Sequence, residues 1–188
     1  MDNYAGRPRP IIADIDTGVR FDHPDLLQSG AGGRFLPGYC FISDSFVANN
    51  ATCPGAGVSD PGDWVTSSDL TQSECSNQQT SCSSWHGTRV SGILGAIANN
   101  GLGIAGATWQ PRILPVRALG KCGGSDSDII AAVLWAAGIQ VSGAVTNPKP
   151  ASIINLSIGG LSCVTAELPG RNQSLRGPGC SRGRLSGQ

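Results

Sequence analysis

The apolar run that starts at Ile11 and stops at Asp16 constrains the fold of this chain more than any other segment. It reads Ile-Ile-Ala-Asp-Ile-Asp, and Thr17 and Gly18 follow it at once and permit a turn. A short and nearly continuous apolar segment is typical of a strand that is buried in a parallel sheet. The pattern therefore predicts a strand at 10–16 that delivers a carboxylate to the carboxyl edge of the sheet.

Further apolar segments alternate with helical patterns, as in an α/β domain with a parallel sheet. Strands are predicted at 35–43, 112–119 and 152–157, and helices at 87–99 and 129–137. The first helix carries apolar residues at i, i+3, i+4 and i+7 from Val90 onward. The second helix, capped by Asp126 or Ser127, is apolar almost throughout and is expected to be buried on several sides.

Length and charge exclude several classes of function. The chain has 188 residues and a formal net charge of zero, which suits one domain and gives no electrostatic footprint for nucleic acid. No apolar run approaches the roughly 18 residues of a membrane span. We therefore expect neither a nucleic-acid nor a membrane partner. Residues 1–4 lack the features of a signal peptide, so the chain is interpreted as a mature segment without signal or propeptide.

The cysteines indicate an oxidising compartment. Seven are present, at positions 40, 53, 75, 82, 122, 163 and 180, without the paired CxxC spacing of a zinc site. Disulfides are therefore expected, and with them secretion. An odd number leaves at least one thiol unpaired, and Cys180 is the candidate because its surroundings look least like folded sequence.

Two segments depart from the regular pattern. Residues 44–84 are polar and rich in Gly, Pro, Asn, Ser and Cys, and so long an irregular insert should be functional or stapled. Cys53 is expected to close it with Cys75 or Cys82. Residues 161–188 are rich in Arg and Gly and show no apolar periodicity. We predict one domain part over 1–160, containing the insert, and an irregular tail over 161–188.

Asp16 and His86 are the candidate catalytic residues. A single Asp at a strand end is more often a turn former, and a single His more often a structural residue. His86 is, however, one of only two histidines, and Gly87 and Thr88 follow it at the mouth of the predicted helix. An imidazole held by a carboxylate keeps the tautomer that can deprotonate a hydroxyl.

Three motifs in chain order resemble those of the subtilisin-like serine proteases, and most of all the secreted bacterial members. Residues 15–26 resemble the aspartate motif, residues 86–92 the histidine motif and residues 155–160 the substrate-binding strand. With the match at 99–106, the resemblance covers about residues 8–163. It implies a three-layer α/β fold with a parallel sheet, of which this chain holds the N-terminal part, about four of seven strands. It also implies peptide-bond hydrolysis, with Asp16 orienting His86 as the general base toward a serine, and no catalytic cofactor.

The resemblance also implies a binding site for a polypeptide substrate. An extended peptide would lie as an added strand between two backbone segments. These segments comprise Leu119, Gly120, Cys122 and Gly123 on one side, and Ser157, Ile158 and Gly159 on the other. A disulfide between Cys122 and Cys163 is expected because both would flank this cleft.

A structural calcium ion is the cofactor that the resemblance implies. Its ligands would be Asp25 and the loop residues Asn100, Leu102 and Ile104, since calcium prefers oxygen ligands. A second calcium site could form in the insert from Asp60, Asp63 and Asp69, although a solvated acidic loop is the alternative interpretation.

Two departures from the family pattern bear on activity. Arg89 stands where the family usually has a second histidine, and no Gly-Thr-Ser-Met-Ala-like segment occurs in the chain. Ser174 and Ser181 lack the turn and the apolar helix that would aim a hydroxyl at His86. An oxyanion hole alone typically contributes ~10²–10³ in rate, so little proteolysis is expected without these parts. The alternative function is an inactive protease fragment or a peptide-binding remnant.

Two further predictions follow from the strand ends. The strand at 152–157 would be an unpaired apolar edge, open to self-association.

An alternative enzyme class is suggested by residues 14–17. The sequence Asp14-Ile-Asp16-Thr17 resembles the nucleophile motif of magnesium-dependent phosphatases of the haloacid dehalogenase type. The downstream lysine and acidic pair of that family are not evident, which makes a phosphatase the minor alternative.

Overall fold

The computed structural model describes residues 9–49 and 53–159. The chain divides into two compact units, residues 1–157 and 158–188, and of the second only 158 and 159 are described. Every strand and helix of the described chain lies in the first unit. The predicted tail at 161–188 falls outside the described residues.

Four parallel strands form the sheet: Ile11–Asp16 (β1), Tyr39–Cys40 (β2), Arg112–Arg117 (β3) and Ile153–Asn155 (β4). Their order is β2-β3-β1-β4, so the two longest strands occupy the centre. β1 and β3 run in register from the pair Ile11 and Arg112 to the pair Asp16 and Arg117, and both are buried beyond their first residue. This confirms the α/β class with a parallel sheet and the predicted strand that ends at Asp16.

Helices cover both faces of the sheet. They are Ser45–Ala48 (α1), His86–Gly95 (α2) and Asp126–Ala136 (α3). α2 lies on the face that carries Asp14, because Ser91 donates a hydrogen bond to that carboxylate. α3 lies on the other face, where Trp135 packs on Tyr39 with ring centroids 5.5 Å apart. Pro115 on β3 is the register partner of Asp14, and Val116 is the next residue. Because side chains alternate along a strand, Val116 and its partner Tyr39 point to the face opposite Asp14. Helices on two faces of one sheet give the three layers that were predicted.

The second strand is shorter than predicted. Phe35 forms a bridge to Ile113, and regular pairing resumes only at Tyr39. Pro37 has no N–H to donate to a ladder. At Gly38 the backbone approaches β3 so closely that a Cβ would lie 1.7 Å from the carbonyl oxygen of Pro115. These two residues explain why 35–43 does not form one continuous strand.

The helices also differ from the prediction in detail. α2 ends at Gly95 rather than at 99, and a Cβ at Gly95 would lie 2.6 Å from Ile113, so close packing on β3 replaces the last turn. α3 is capped by Ser125, whose hydroxyl accepts from the backbone N–H of Asp128, and not by Asp126 or Ser127. Within the described residues the expected burial of α3 on several sides is not found. Its buried residues, Asp128, Ala132, Trp135 and Ala136, form one face, and Ile130 is 59% exposed.

β4 is an edge strand within the described part of the chain. It pairs with β1 through three residues and has no partner on its other side there. Ile153 is 54% exposed and Leu156 is 47% exposed. The sequence prediction of an apolar edge at 152–157 is therefore confirmed for these residues, and self-association through it stays a prediction.

The disulfides correct the predicted pairing. Cys40 bonds to Cys53 and Cys75 bonds to Cys122, whereas Cys82 is a free, exposed thiol. Cys53 is paired with Cys40 because residue 55 returns beside the end of β2 in an antiparallel bridge. Cys122 is taken by Cys75 of the insert, so the predicted bond from Cys122 to Cys163 is wrong. Cys163 and Cys180 lie outside the described residues.

No helix in the described residues is long and apolar enough to cross a membrane.

Candidate active site

Asp16 and His86 meet at the carboxyl edge of the sheet, as predicted. Asp16 is the last residue of β1 and is 1% exposed, and His86 is the first residue of α2. Nδ1 of His86 lies 2.8 Å from both carboxylate oxygens of Asp16. The backbone N–H of Thr17 donates to Oδ1 of Asp16 at 2.7 Å. Two donors thus fix the carboxylate, and the carboxylate in turn fixes the imidazole.

The turn after Asp16 and the start of α2 are built to touch. The backbone N–H of Gly87 donates to Oγ1 of Thr17 at 3.0 Å, which satisfies one of the free amides at the helix start. A Cβ at Gly87 would lie 2.4 Å from the carbonyl oxygen of Gly18. Gly18 has a φ of 104°, where any side chain is strained. The glycines of both motifs therefore allow the approach that brings His86 to Asp16.

The insert supports this junction from outside. Asp60 accepts a hydrogen bond from the hydroxyl of Thr17 at 2.9 Å. Asp63 accepts from the backbone N–H and the hydroxyl of Ser84 at 2.5 and 2.6 Å, and Ser84 in turn accepts from the backbone N–H of His86 at 3.2 Å. The insert carboxylates thus hold the residues on either side of the proposed pair.

The three carboxylates proposed for a second calcium site in the insert have separate partners in the structure. Asp60 and Asp63 have the separate partners given above, and Asp69 forms an ion pair with Lys121 at 3.1 Å. Among the described residues no three His, Cys, Asp or Glu side chains cluster in a way that could hold a metal ion. Each carboxylate is an anchor for a different part of the domain.

The outer edge of the His86 ring is open. The side chain is 45% exposed, and no described hydroxyl forms a hydrogen bond with Nε2. Arg89, three residues further on, is exposed on the surface of α2. Nε2 of His86 therefore has no partner among the described residues and is accessible, as a group that exchanges a proton with a hydroxyl must be.

Asp14 is a second buried carboxylate on the same strand face. It is 2% exposed, and burial raises the pKa of its carboxyl from 3.8 to about 6, with a smaller contribution from the charge of Asp16. Ser91 and Asn155 both donate to it. A carboxylate enclosed in this way is not placed to attack a phosphate ester, and the structure gives no support to the phosphatase alternative.

The first predicted substrate segment follows β3 and forms a tight turn. The backbone N–H of Leu119 donates to the carbonyl of Asp16 at 3.2 Å, and Gly120 and Gly123 form reciprocal hydrogen bonds of 2.8 and 3.1 Å. Cys122 has a φ of 64° and is tied to Cys75. The turn therefore starts directly beside the proposed acid–base pair.

The second predicted substrate segment follows β4. Ser157 is exposed, and its hydroxyl lies 3.0 Å from Nδ2 of Asn155. Ile158 and Gly159 come next, in the second unit of the chain. The binding of a peptide to either segment remains a prediction.

The predicted calcium residues come together around Asp25. Nδ2 of Asn100 donates to Oδ1 of Asp25 at 2.6 Å, and the backbone N–H of Ile104 donates to Oδ2 at 3.1 Å. The backbone N–H of Leu102 donates to the side-chain oxygen of Asn100. The hydrogen bond from Asn100 contributes most to lowering the pKa of Asp25. Asp25 thus accepts hydrogen bonds from two N–H donors of this loop, and the binding of calcium here stays a prediction.

Sequence reasoning missed several residues that build the site. Thr17 and Ser84 were not assigned roles at the site, and Asp60 was considered only as a calcium ligand, because their contacts cross between the sheet, the insert and the helix. Asp14 offered a usable signal: it lies two residues before Asp16, so strand alternation places it on the same face. A charged residue inside an apolar strand is expected to be buried, and a buried carboxylate needs hydrogen-bond donors or a cation beside it.

Comparisons with known proteins agree with this geometry. A family model described as the subtilase family matches residues 8–182. The extracellular protease of Xanthomonas campestris is 42% identical over 151 residues, and the extracellular basic protease of Dichelobacter nodosus is 39% identical over 150 residues. Each match covers 80% of this chain and 24% of the relative. A solved structure of proteases from Pseudoalteromonas arctica is 42% identical, with a TM-score of 0.68, and is matched over 80% of this chain and 41% of its own. The chain thus spans about a quarter of the length of these two relatives.

Proposed function

The chain belongs to the subtilase family, and from that premise we propose that Asp16 and His86 are the acid–base half of a serine endopeptidase site. In this proposal Nε2 of His86 takes the proton of a serine hydroxyl as the hydroxyl attacks a peptide carbonyl, and returns it to the leaving amine. Asp16 keeps the proton on Nδ1 and stabilises the imidazolium. The observation that supports the proposal is the distance of 2.8 Å from Nδ1 to both oxygens of Asp16.

The proposal assigns the serine to a segment outside these 188 residues. No described hydroxyl bonds to Nε2, and the sequence has no Gly-Thr-Ser-Met-Ala-like segment. The oxyanion donors are assigned to the same place, since in such sites they are aimed at the carbonyl that the serine attacks.

Fragment complementation tests this assignment. The full chain is mixed with the remaining part of the catalytic domain of the Xanthomonas campestris relative, and the mixture is treated with a fluorophosphonate probe that labels activated serines. We expect no labelling of this chain alone and labelling of the relative's fragment in the mixture. The labelling should be lost in His86→Ala and kept in the matched control His23→Ala, because His23 is exposed and outside the pair.

The outcomes separate the proposal from its rival. A complex that forms but stays unlabelled, or one that labels equally with His86→Ala, contradicts the proposed role of His86. Stoichiometric labelling of this chain alone contradicts the assignment of the serine to another segment. If no complex forms, peptide binding without hydrolysis becomes the better candidate.

Peptide binding without hydrolysis is favoured by the exposed edge at β4. An extended peptide would add to this edge as a further strand and use the backbone around Ser157. Calorimetric titration with an unstructured peptide tests it. Ser157→Pro removes a backbone N–H and should abolish binding, whereas Ser157→Ala keeps the N–H and should bind as the wild type does.

Secretion, calcium and self-association complete the proposal. The relatives are named extracellular proteases, and the two disulfides among the described residues are consistent with an oxidising compartment. Calcium at the Asp25 loop would require the donors around its carboxylate to move aside, and a melting temperature unchanged by calcium or chelator would exclude it.

Self-association through β4 would pair two copies at the exposed strand and should make the apparent mass depend on concentration.

A further inference from the structure

Asp14 lies at a junction of three elements that carry the proposed site. It belongs to β1, as Asp16 does, and its register partner on β4 is Asn155. The hydroxyl of Ser91 on α2 donates to its Oδ2 at 2.6 Å, and Nδ2 of Asn155 donates to its Oδ1 at 3.0 Å. One carboxylate therefore joins the helix that begins with His86 to the strand that precedes Ser157.

The connection continues to the predicted substrate segment. Nδ2 of Asn155 also lies 3.0 Å from the hydroxyl oxygen of Ser157. The same amide thus bonds to a buried carboxylate on one side and to an exposed hydroxyl on the other. Since β4 is paired on one side only within the described residues, this side-chain bond supplements a ladder of three residue pairs.

The charged groups that face Asp14 come from three of the packed elements. Asp16 on β1 opposes its ionisation, and His86 on α2 favours it. β3 places Pro115 opposite Asp14, and its Arg117 lies on the same face beside Asp16, with its guanidinium bound to the carbonyls of Thr17 and Ala48. β4 contributes the neutral Asn155. No cation forms an ion pair with Asp14 among the described residues.

We propose that Asp14 is a positioning residue: through Ser91 and Asn155 its carboxylate fixes α2 and β4 to β1, the strand that ends at Asp16. This rests on the proposed function, since the elements that it joins carry His86 and the predicted substrate segment. Both partners donate hydrogen bonds, so the ionised form of Asp14 satisfies both. Protonation would give Asp14 a donor and would require the hydroxyl of Ser91 to turn round and accept. A change of protonation at Asp14 is therefore transmitted to both neighbours.

The raised pKa of Asp14, about 6, places this change within an accessible pH range. The test is a ¹H–¹⁵N NMR titration of the full chain between pH 4 and pH 8. In the wild type the side-chain amide of Asn155 and the backbone amide of Ser157 should shift together, with a midpoint near pH 6. The transition should vanish from both signals in Asp14→Asn.

Two control variants separate Asp14 from its neighbours. In His86→Gln the transition should persist with a higher midpoint, because the charge that favours ionisation of Asp14 is gone. In Ser91→Ala the midpoint should also rise, since a hydrogen bond to the carboxylate is lost.

A transition at Asn155 and Ser157 that survives in Asp14→Asn would overturn the proposal, as would one that disappears in His86→Gln. If Asp14→Asn does not fold, the shift of the midpoint in Ser91→Ala decides instead, and an unchanged midpoint contradicts the proposal. None of these measurements depends on hydrolysis or on a serine. Failure of the complementation experiment and failure of this titration are therefore distinguishable.

Discussion

The centre and the edge of the sheet are built from similar residues but are supported very differently. β1 lies between two strands and is covered by helices on both faces of the sheet, and its Ile15 is fully buried. Ile153 on the edge strand β4 is 54% exposed. Asp16 ends the central strand, and the described contacts that orient it come from the backbone N–H of Thr17 and from Nδ1 of His86. Ser157 follows the edge strand and has one side-chain partner there. The described residues thus hold Asp16 and His86 of the proposed acid–base pair in place. The predicted substrate segment at Ser157 follows a strand that is paired on one side only among these residues.

The insert extends the well-supported region. Its carboxylates hold Thr17 and Ser84, and the disulfide from Cys75 to Cys122 attaches it to the turn after β3. Lys121 in that turn is paired with Asp69 and packs over the rings of Phe46 and Trp64. Among the described residues, the insert therefore supplies much of the contact that holds Thr17, Ser84 and the turn after β3 in place.

Loss of the disulfide from Cys75 to Cys122 should give the largest effect. The bond joins residues 47 apart in sequence, and closing a loop of that size stabilises a protein by about 4 kcal/mol in the chain-entropy model. We expect Cys75→Ser combined with Cys122→Ser to lower the free energy of unfolding by about that amount in urea denaturation. Cys82→Ser is the control, and it should change little because Cys82 is exposed and free. Equal effects in the two variants would contradict the assigned pairing.

A matched pair of isoleucine truncations compares centre and edge directly. Ile15→Ala removes a fully buried side chain and should cost about 3–4 kcal/mol, whereas Ile153→Ala should cost less than about 1 kcal/mol. Urea denaturation of the two variants under one set of conditions provides the measurement. Similar costs at the two positions would show that the side chain of Ile153 is buried in solution, and would contradict the difference between the central and the edge strand.

The pH dependence of stability should reveal the carboxylate that joins centre to edge. The pKa of Asp14 is raised from 3.8 to about 6 in the folded chain, so the folded state holds this proton more tightly than the unfolded chain does. The contribution of Asp14 is therefore fully present below about pH 4, is lost as the pH rises to about 6 and is constant above that, a difference of up to about 3 kcal/mol. In Asp14→Asn this part of the pH dependence should be missing. Parallel stability curves for wild type and variant between pH 4 and pH 7 would contradict this account of burial.

A charge on the exposed edge should have the smallest effect on stability. Ile153→Lys places an ammonium group at a side chain that already faces solvent, so the free energy of unfolding should change by less than about 1 kcal/mol. Concentration-dependent association, measured by sedimentation, should however be reduced, because charged residues on edge strands oppose pairing. Unchanged association in this variant would place the contact between copies elsewhere.

Local pattern predicted the centre of this molecule well. The apolar run to Asp16 required only strand periodicity, and the pairing of Asp16 with His86 was implied by the family resemblance. The stripe from Val90 predicted a helix but not its buried face, since Ile93 is 61% exposed and the small residues Ser91, Gly92 and Gly95 are buried instead. The cysteine pairs could not be obtained in this way, because they depend on how the irregular insert folds over the turn at Cys122. The exposure of Ile130 was missed for a related reason: apolar composition does not show which faces of a helix have a neighbour.

The most direct test of the central claim is whether the full chain in solution holds a preformed Asp16 and His86 pair. In the ¹H NMR spectrum, a proton on Nδ1 of His86 that is bound to Asp16 should give a signal well downfield of the amide region. We predict this signal in the wild type and in His23→Ala, and its loss in Asp16→Ala. Its absence from the folded wild-type chain between pH 4 and pH 8, or its survival in Asp16→Ala, would contradict the account.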